Sequence, residues 1–122
     1  MTINLMDRRN ILQVELTVEA TGTSSTYLTS DEFGGVETLL FMAPDGLEGE
    51  ATVEVLAGGG LDPEVAGNWR TYLVHPGEAA SFLAGEALAV PVPAAPALRL
   101  GMASAQASER AFRVYGRKVR VS

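Results

Sequence analysis

Leu12-Gln13-Val14-Glu15-Leu16-Thr17-Val18-Glu19-Ala20 decides the fold: apolar residues hold every even position and polar ones every odd position. Successive side chains of a β-strand point to opposite faces, so this run predicts a strand with one buried and one wet face. Leu12, Val14, Leu16 and Val18 are expected in the core, and Gln13, Glu15, Thr17 and Glu19 toward water or a partner. A slip of one residue would exchange the two sets, so the alternation also sets the register. Thr21-Gly22-Thr23-Ser24-Ser25-Thr26 follows with the composition of a turn or loop.

The same logic extends along the chain. Val36-Glu37-Thr38-Leu39-Leu40-Phe41-Met42 reads as a more fully buried strand, closed by the turn chemistry of Ala43-Pro44-Asp45-Gly46. Residues 51–56 alternate again and enter Gly58-Gly59-Gly60, read as a flexible hairpin tip. Residues 69–74 are expected as one strand, with Trp69, Thr71 and Leu73 on one side and Arg70, Tyr72 and Val74 on the other. Residues 79–84 suit a short helix or an extended segment. Residues 88–92 form a short apolar strand that Pro91, Pro93 and Pro96 keep from a central position. Strands over 98–102, 111–115 and, after Gly116, 117–121 complete the set. Seven or eight short strands separated by turns, with no long segment of helical period, predict an antiparallel β-sandwich, Ig-like or jelly-roll. The organisation is one domain over residues 11–122, preceded by an N-terminal arm over residues 1–10.

Composition agrees. The chain has 122 residues, 47% hydrophobic and 20% charged, which suits a packed core and not a disordered chain. With no cysteine there are no disulfides, thiolate metal sites or cysteine nucleophiles. A formal net charge of −6 argues against nucleic acid as a partner attracted by overall charge. No apolar run reaches the roughly 20 residues of a membrane span, and the start, MTINLMDRRNILQ, lacks the apolar stretch of a signal peptide. The charges are segregated. From Asn10 to Trp69 the only charged residues are acids, whereas Arg110, Arg113, Arg117, Lys118 and Arg120 crowd an acid-free C-terminus. An acidic and a basic strand side by side would explain this, and so would acidic-to-basic contacts between neighbouring proteins.

Motifs for chemistry are absent or out of context. Gly58-Gly59-Gly60 precedes Leu61-Asp62-Pro63-Glu64, acids and a proline where a phosphate loop needs a helix and donors. His75, the single histidine, lies in a Val-His-Pro-Gly turn and has no Gly-x-Ser-x-Gly elbow to serve. Asp31-Glu32 and Asp62-x-Glu64 lack the spaced ladder of a calcium loop. Trp69, Tyr72, Tyr27 and Tyr115 could form a sugar-stacking platform, but at 7% aromatic content core packing is the favoured role. No enzyme, cofactor or metal site is expected.

The order of features over residues 36–121 resembles small β-sandwich structural proteins of tailed bacteriophages. The resemblance is carried by Ala51-Thr52-Val53-Glu54-Val55-Leu56, the glycine-rich turn, Trp69-Arg70-x-Tyr72, Ala97-Leu98-Arg99-Leu100 and Ala107-Ser108-Glu109-Arg110-Ala111-Phe112-Arg113-Val114. It implies a virion component, a capsid decoration (cement) protein on the head surface. Its partners would be the major capsid protein and itself, as a symmetric homo-oligomer such as a trimer, without nucleic acid or membrane. The candidate interface residues are Arg8, Arg9, Arg113, Arg117 and Arg120. A phage tail or fibre-associated module and a glycan-binding module are the alternatives.

Overall fold

The computed structural model describes residues 11–118. Eleven strands occur among them: β1 Ile11–Val18, β2 Ser24–Thr29, β3 Val36–Met42, β4 Ala51–Leu56, β5 Trp69–Thr71, β6 Leu73–His75, β7 Glu78–Ala79, β8 Ser81–Phe82, β9 Ala87–Pro91, β10 Ala97–Met102 and β11 Arg110–Lys118. One helical turn, α1 Ser30–Phe33, and a 3₁₀ turn, Ala66–Asn68, interrupt them. One sheet has the order β1-β11-β3-β9, the other β2-β10-β4-β5 with β8 also on β4, and β6-β7 is a separate ribbon. Every pairing is antiparallel. The two sheets pack as the expected β-sandwich.

The core lies between the sheets. Leu12, Leu16 and Val18 of β1 are buried as the alternation requires, while Val14 is half-buried at its margin. Leu39 and Phe41, Val53, Val90, Leu98 and Leu100, and Phe112 and Val114 are fully enclosed with them. Phe82 stands 5.9 Å, edge to face, from Phe112 and 6.2 Å from Phe41, so three aromatic rings link the two sheets. Tyr72 adds a polar tie, its hydroxyl donating to the Pro91 carbonyl at 2.7 Å.

Two β-bulges explain where the alternation fails. Gly116 pairs with Leu39 and Lys118 with Val36, so two steps on β11 match three on β3. The extra residue leaves both Glu37 and Thr38 outside and returns Val36 to the core. Likewise Arg99 pairs with Tyr27 and Gly101 with Ser24. Between them, the buried Ser25 hydroxyl accepts from the Leu100 N–H at 2.9 Å and donates to the Thr26 carbonyl at 2.6 Å. A side chain thus restores the partner that the bulge removes from the ladder. The segment expected to be loop from Thr21 to Thr26 is therefore strand from Ser24 onward, with the corner confined to Ala20–Thr23.

Other expectations change too. Residues 69–74 are two short strands, not one, because Tyr72 leaves the β5 ladder while its N–H donates to the Val53 carbonyl. Residues 79–84 are extended, in β7 and β8. Residues 111–118 run as one strand through Gly116, which faces inward. A Cβ there would stand 2.6 Å from Val36 Cγ1, so glycine is required by close packing and not by a break in the chain. β9 lies on an edge, where Pro91 is tolerated.

Candidate interaction surfaces

Each sheet presents an outer face. On the four-stranded sheet the outward residues fall into rows by register. Gln13, Tyr115, Leu40 and Ala89 form one row, and Glu15, Arg113, Met42 and Ala87 the next. Ile11 opposite Arg117 extends the surface toward one end, where a shallow hollow of about 350 Å³ is lined by Ile11, Thr38, Leu40, Tyr115, Gly116 and Arg117. Ile11 and Met42 are 40% and 41% exposed, much for residues of their size on a sheet face. Charges flank this apolar strip, and among the described residues neither Arg113 nor Arg117 makes an ion pair.

Of the five arginines expected at an interface, Arg113 and Arg117 share this face. Arg8, Arg9 and Arg120 lie outside the described residues. The basic last strand does sit beside acidic β1, with Arg113 opposite Glu15. Closer charge pairing occurs elsewhere. Arg110 Nη2 meets Glu48 Oε1 at 3.2 Å, and Arg99 Nε meets Glu54 Oε1 at 2.7 Å across β10 and β4.

The outer face of the five-stranded sheet is polar and grooved. Trp69, expected in the main core, is buried on this outer side, in a second small cluster with Leu56 and Ala97. The loop from Ala57 to Asn68 holds it there. Trp69 Nε1 donates to the Pro63 carbonyl at 2.9 Å, Asn68 Nδ2 to the Asp62 carbonyl, and the Glu64 N–H to Asp62 Oδ1. Asp62 and Glu64 thus shape a covering loop, and Gly58–Gly60 form its opening turn and not a hairpin tip, with the Leu61 N–H donating to the Gly58 carbonyl. The Arg99 guanidinium lies 4.5 Å from the Trp69 ring centre, and the Tyr27 ring 6.2 Å from it at a tilt. Tyr27 is 37% exposed, so an aromatic surface does reach solvent here, carried by Tyr27 and not by Trp69 or Tyr72.

Two adjoining hollows, about 530 and 480 Å³, share Ser24, Glu64 and Arg99. The first adds Thr23, Thr52, Glu54, Thr71 and Gly101, and the second Thr17, Glu19, Thr26, Tyr27 and Pro63. Sequence reading missed this groove. Its one sequence-level signal is Gly101 inside a strand pattern, which marks a close approach. A Cβ at Gly101 would stand 2.7 Å from Glu54 Oε2, so the glycine lets that carboxylate lie flat across β10.

The remaining candidates stay apart. His75 is exposed at the β6–β7 turn, and Asp31 and Glu32 occupy the first turn of α1, where Glu32 accepts from the Thr29 N–H at 3.0 Å. Among the described residues no three His, Asp or Glu side chains gather as a metal site, and no helix is long and apolar enough to cross a membrane.

No family model and no curated protein matches this chain. Among solved structures it is similar to Peruvianin-I, a cysteine peptidase from Thevetia peruviana latex. That match has 12% identity and a TM-score of 0.46 over 90% of this chain and 52% of the other. An oxalate oxidase matches at 17% identity and TM-score 0.45, over 90% of this chain and 43% of that one. A Bacillus endospore appendage, a disulfide-linked pilus, matches at 13% and 0.38, over 91% and 90%. The chain spans about half the length of the first two.

Proposed function

We propose that this chain is a non-catalytic virion component of a tailed bacteriophage, a capsid decoration protein. It binds the outer face of the major capsid protein as a symmetric homo-oligomer and stabilises the head. The observation that carries this reading is the open outer face of the four-stranded sheet. Its apolar strip of Ile11, Leu40, Met42 and Tyr115 is flanked by Arg113, Arg117 and Glu15, an apolar centre with a charged rim as in protein–protein interfaces. The phage-like order of strand motifs agrees with it. Many copies on a symmetric lattice turn a modest interface into firm attachment, since each subunit held by one neighbour meets the next at high effective concentration.

The test is cosedimentation of the purified protein with empty capsids of the phage that encodes it. Wild type is expected to attach and to raise the temperature at which capsids burst. Arg113→Glu with Arg117→Glu, both on the solvent side of β11, should keep the fold and weaken attachment at least about tenfold, mostly through slower association that added salt mimics. Absence of attachment, or capsids equally robust without the protein, overturns the proposal.

A further inference from the structure

We infer that the groove across the five-stranded sheet is a binding site for a neutral oligosaccharide, with Arg99 and Glu54 reading hydroxyl groups and Tyr27 stacking on a sugar ring. This goes beyond the capsid reading and uses the opposite face of the sandwich.

Arg99 carries the argument. Its side chain is only 14% exposed, fixed from one side by Glu54 and from below by the Trp69 ring. A guanidinium has five N–H donors in a rigid fork, and the Glu54 contact uses the one on Nε. Among the described residues no hydrogen bond uses either Nη, so four donors remain. Among the described residues no buried side-chain polar atom lacks a partner, so those Nη groups are not sealed from solvent, and Arg99 lines both hollows. The structure therefore holds a pre-positioned donor array open to the groove. Glu54 Oε2, laid flat over Gly101, sets an acceptor beside it. Holding both groups in place before binding removes much of the ordering cost that would weaken recognition.

The chemistry of the lining selects the ligand. Glu54, Glu64 and Glu19 outweigh Arg99, which disfavours phosphates, sialylated glycans and nucleic acid. A simple cation offers no acceptor to the four N–H donors. At Arg99 and Glu54 a peptide strand finds no edge to pair with, because β10 and β4, which carry them, are engaged in ladders on both sides. Vicinal diols both accept from a guanidinium and donate to a carboxylate. The hydroxyls of Thr23, Ser24, Thr52 and Thr71 extend the same pattern, and the half-exposed Tyr27 ring adds an apolar face for the C–H side of a sugar ring. The hollows fall within the ~300–1,000 Å³ of small-molecule sites.

The experiment records ¹⁵N–¹H spectra of the full chain with maltohexaose, cellohexaose, mannohexaose and chitohexaose, each at about 5 mM, enough to reveal a Kd near ~1 mM. Polygalacturonate oligomers serve as the anionic comparison. At least one neutral probe should shift residues around Arg99, Gly101 and Tyr27 and leave β11 unmoved. Tyr27→Ala and Arg99→Lys should each weaken that binding at least about tenfold, with Tyr27→Phe retaining it. Tyr27→Ala, at an exposed position, tests the site even if Arg99→Lys unfolds the chain. No response to any neutral probe, preference for the anionic one, or binding indifferent to Tyr27→Ala overturns the inference. None of these outcomes bears on capsid attachment.

Discussion

Replacing Gln106 by alanine tests the reasoning about buried polar groups most directly. Gln106 is 1% exposed, and all its polar atoms are engaged. Its Oε1 accepts from the Glu48 N–H at 2.9 Å and from Arg110 Nε at 3.3 Å. Its Nε2 donates to the carbonyls of Glu48 at 2.8 Å and Ser104 at 2.9 Å. One side chain therefore ties the loop before β4 to the loop before β11. Each bond contributes about 0.5–1.5 kcal/mol net, and the longest contributes least. The loss should come to about 2–4 kcal/mol, some of it recovered where water reaches the freed loop groups. At about 3–5 °C per kcal/mol for a domain of this size, the melting temperature should fall by about 10 °C. Urea denaturation followed by the single tryptophan, Trp69, provides the assay, and amide exchange at Glu48 should quicken in parallel. Gln106→Glu should fail to restore stability, because a carboxylate cannot donate to two carbonyls. A Gln106→Ala protein within about 0.5 kcal/mol of wild type would refute the argument, since that is the range of surface substitutions away from such features.

Gly116→Ala adds a methyl 2.6 Å from Val36 Cγ1 and 3.2 Å from Leu39 Cδ2. It should cost about 1–3 kcal/mol, and pairing it with Val36→Ala should cost less than the sum of the two single changes; simple additivity in thermal melts would mean that the close approach is not real. The Glu48 carboxyl is held below the ordinary glutamate range chiefly by the Ala107 N–H; desolvation opposes this, and the hydrogen bond and charge of Arg110 add to the lowering. Its stabilisation is present above the unfolded-state value and lost as pH falls through the folded one, so melting temperatures measured down through the acid range should show a slope that Glu48→Gln reduces.

The fold was legible where period two runs uninterrupted. In β1 the sequence reports the buried face residue by residue, and Val36–Met42 and Ala51–Leu56 are strands with the expected bounds. It was illegible where a bulge turns the period to three. In β2 the inward residues are Ser25 and Leu28, and a buried serine between polar neighbours looks like a loop until the Leu100 N–H is seen donating to it. Gly116 misled for a related reason. A glycine between apolar residues signals a break, and only the crossing of β3 shows that the missing Cβ makes room for Val36.

The groove was hidden because none of its residues is unusual alone. Tyr27, Glu54, Glu64, Trp69 and Arg99 are scattered along the chain, in a loop-like segment, two ordinary strand patterns, a glycine-rich connection and a short strand. What joins them is register. Arg99 stands opposite Glu54 on one side and Tyr27 on the other, the last regular pair before the β2 bulge shifts the register. The segregation of charge along the sequence draws attention instead to the C-terminal arginines, which stand apart in an acid-free segment. Arg99 lies outside that segment with its carboxylate 45 residues away in sequence, and no count of charges distinguishes it. Its proposed role depends on geometry: Nε bonded to Glu54, the guanidinium beside the Trp69 ring, and no hydrogen bond to either Nη among the described residues. A one-dimensional reading can find an arginine and a glutamate in facing strands. It cannot tell a closed ion pair from one that engages only Nε at the lining of a groove, and the proposed recognition site rests on that difference.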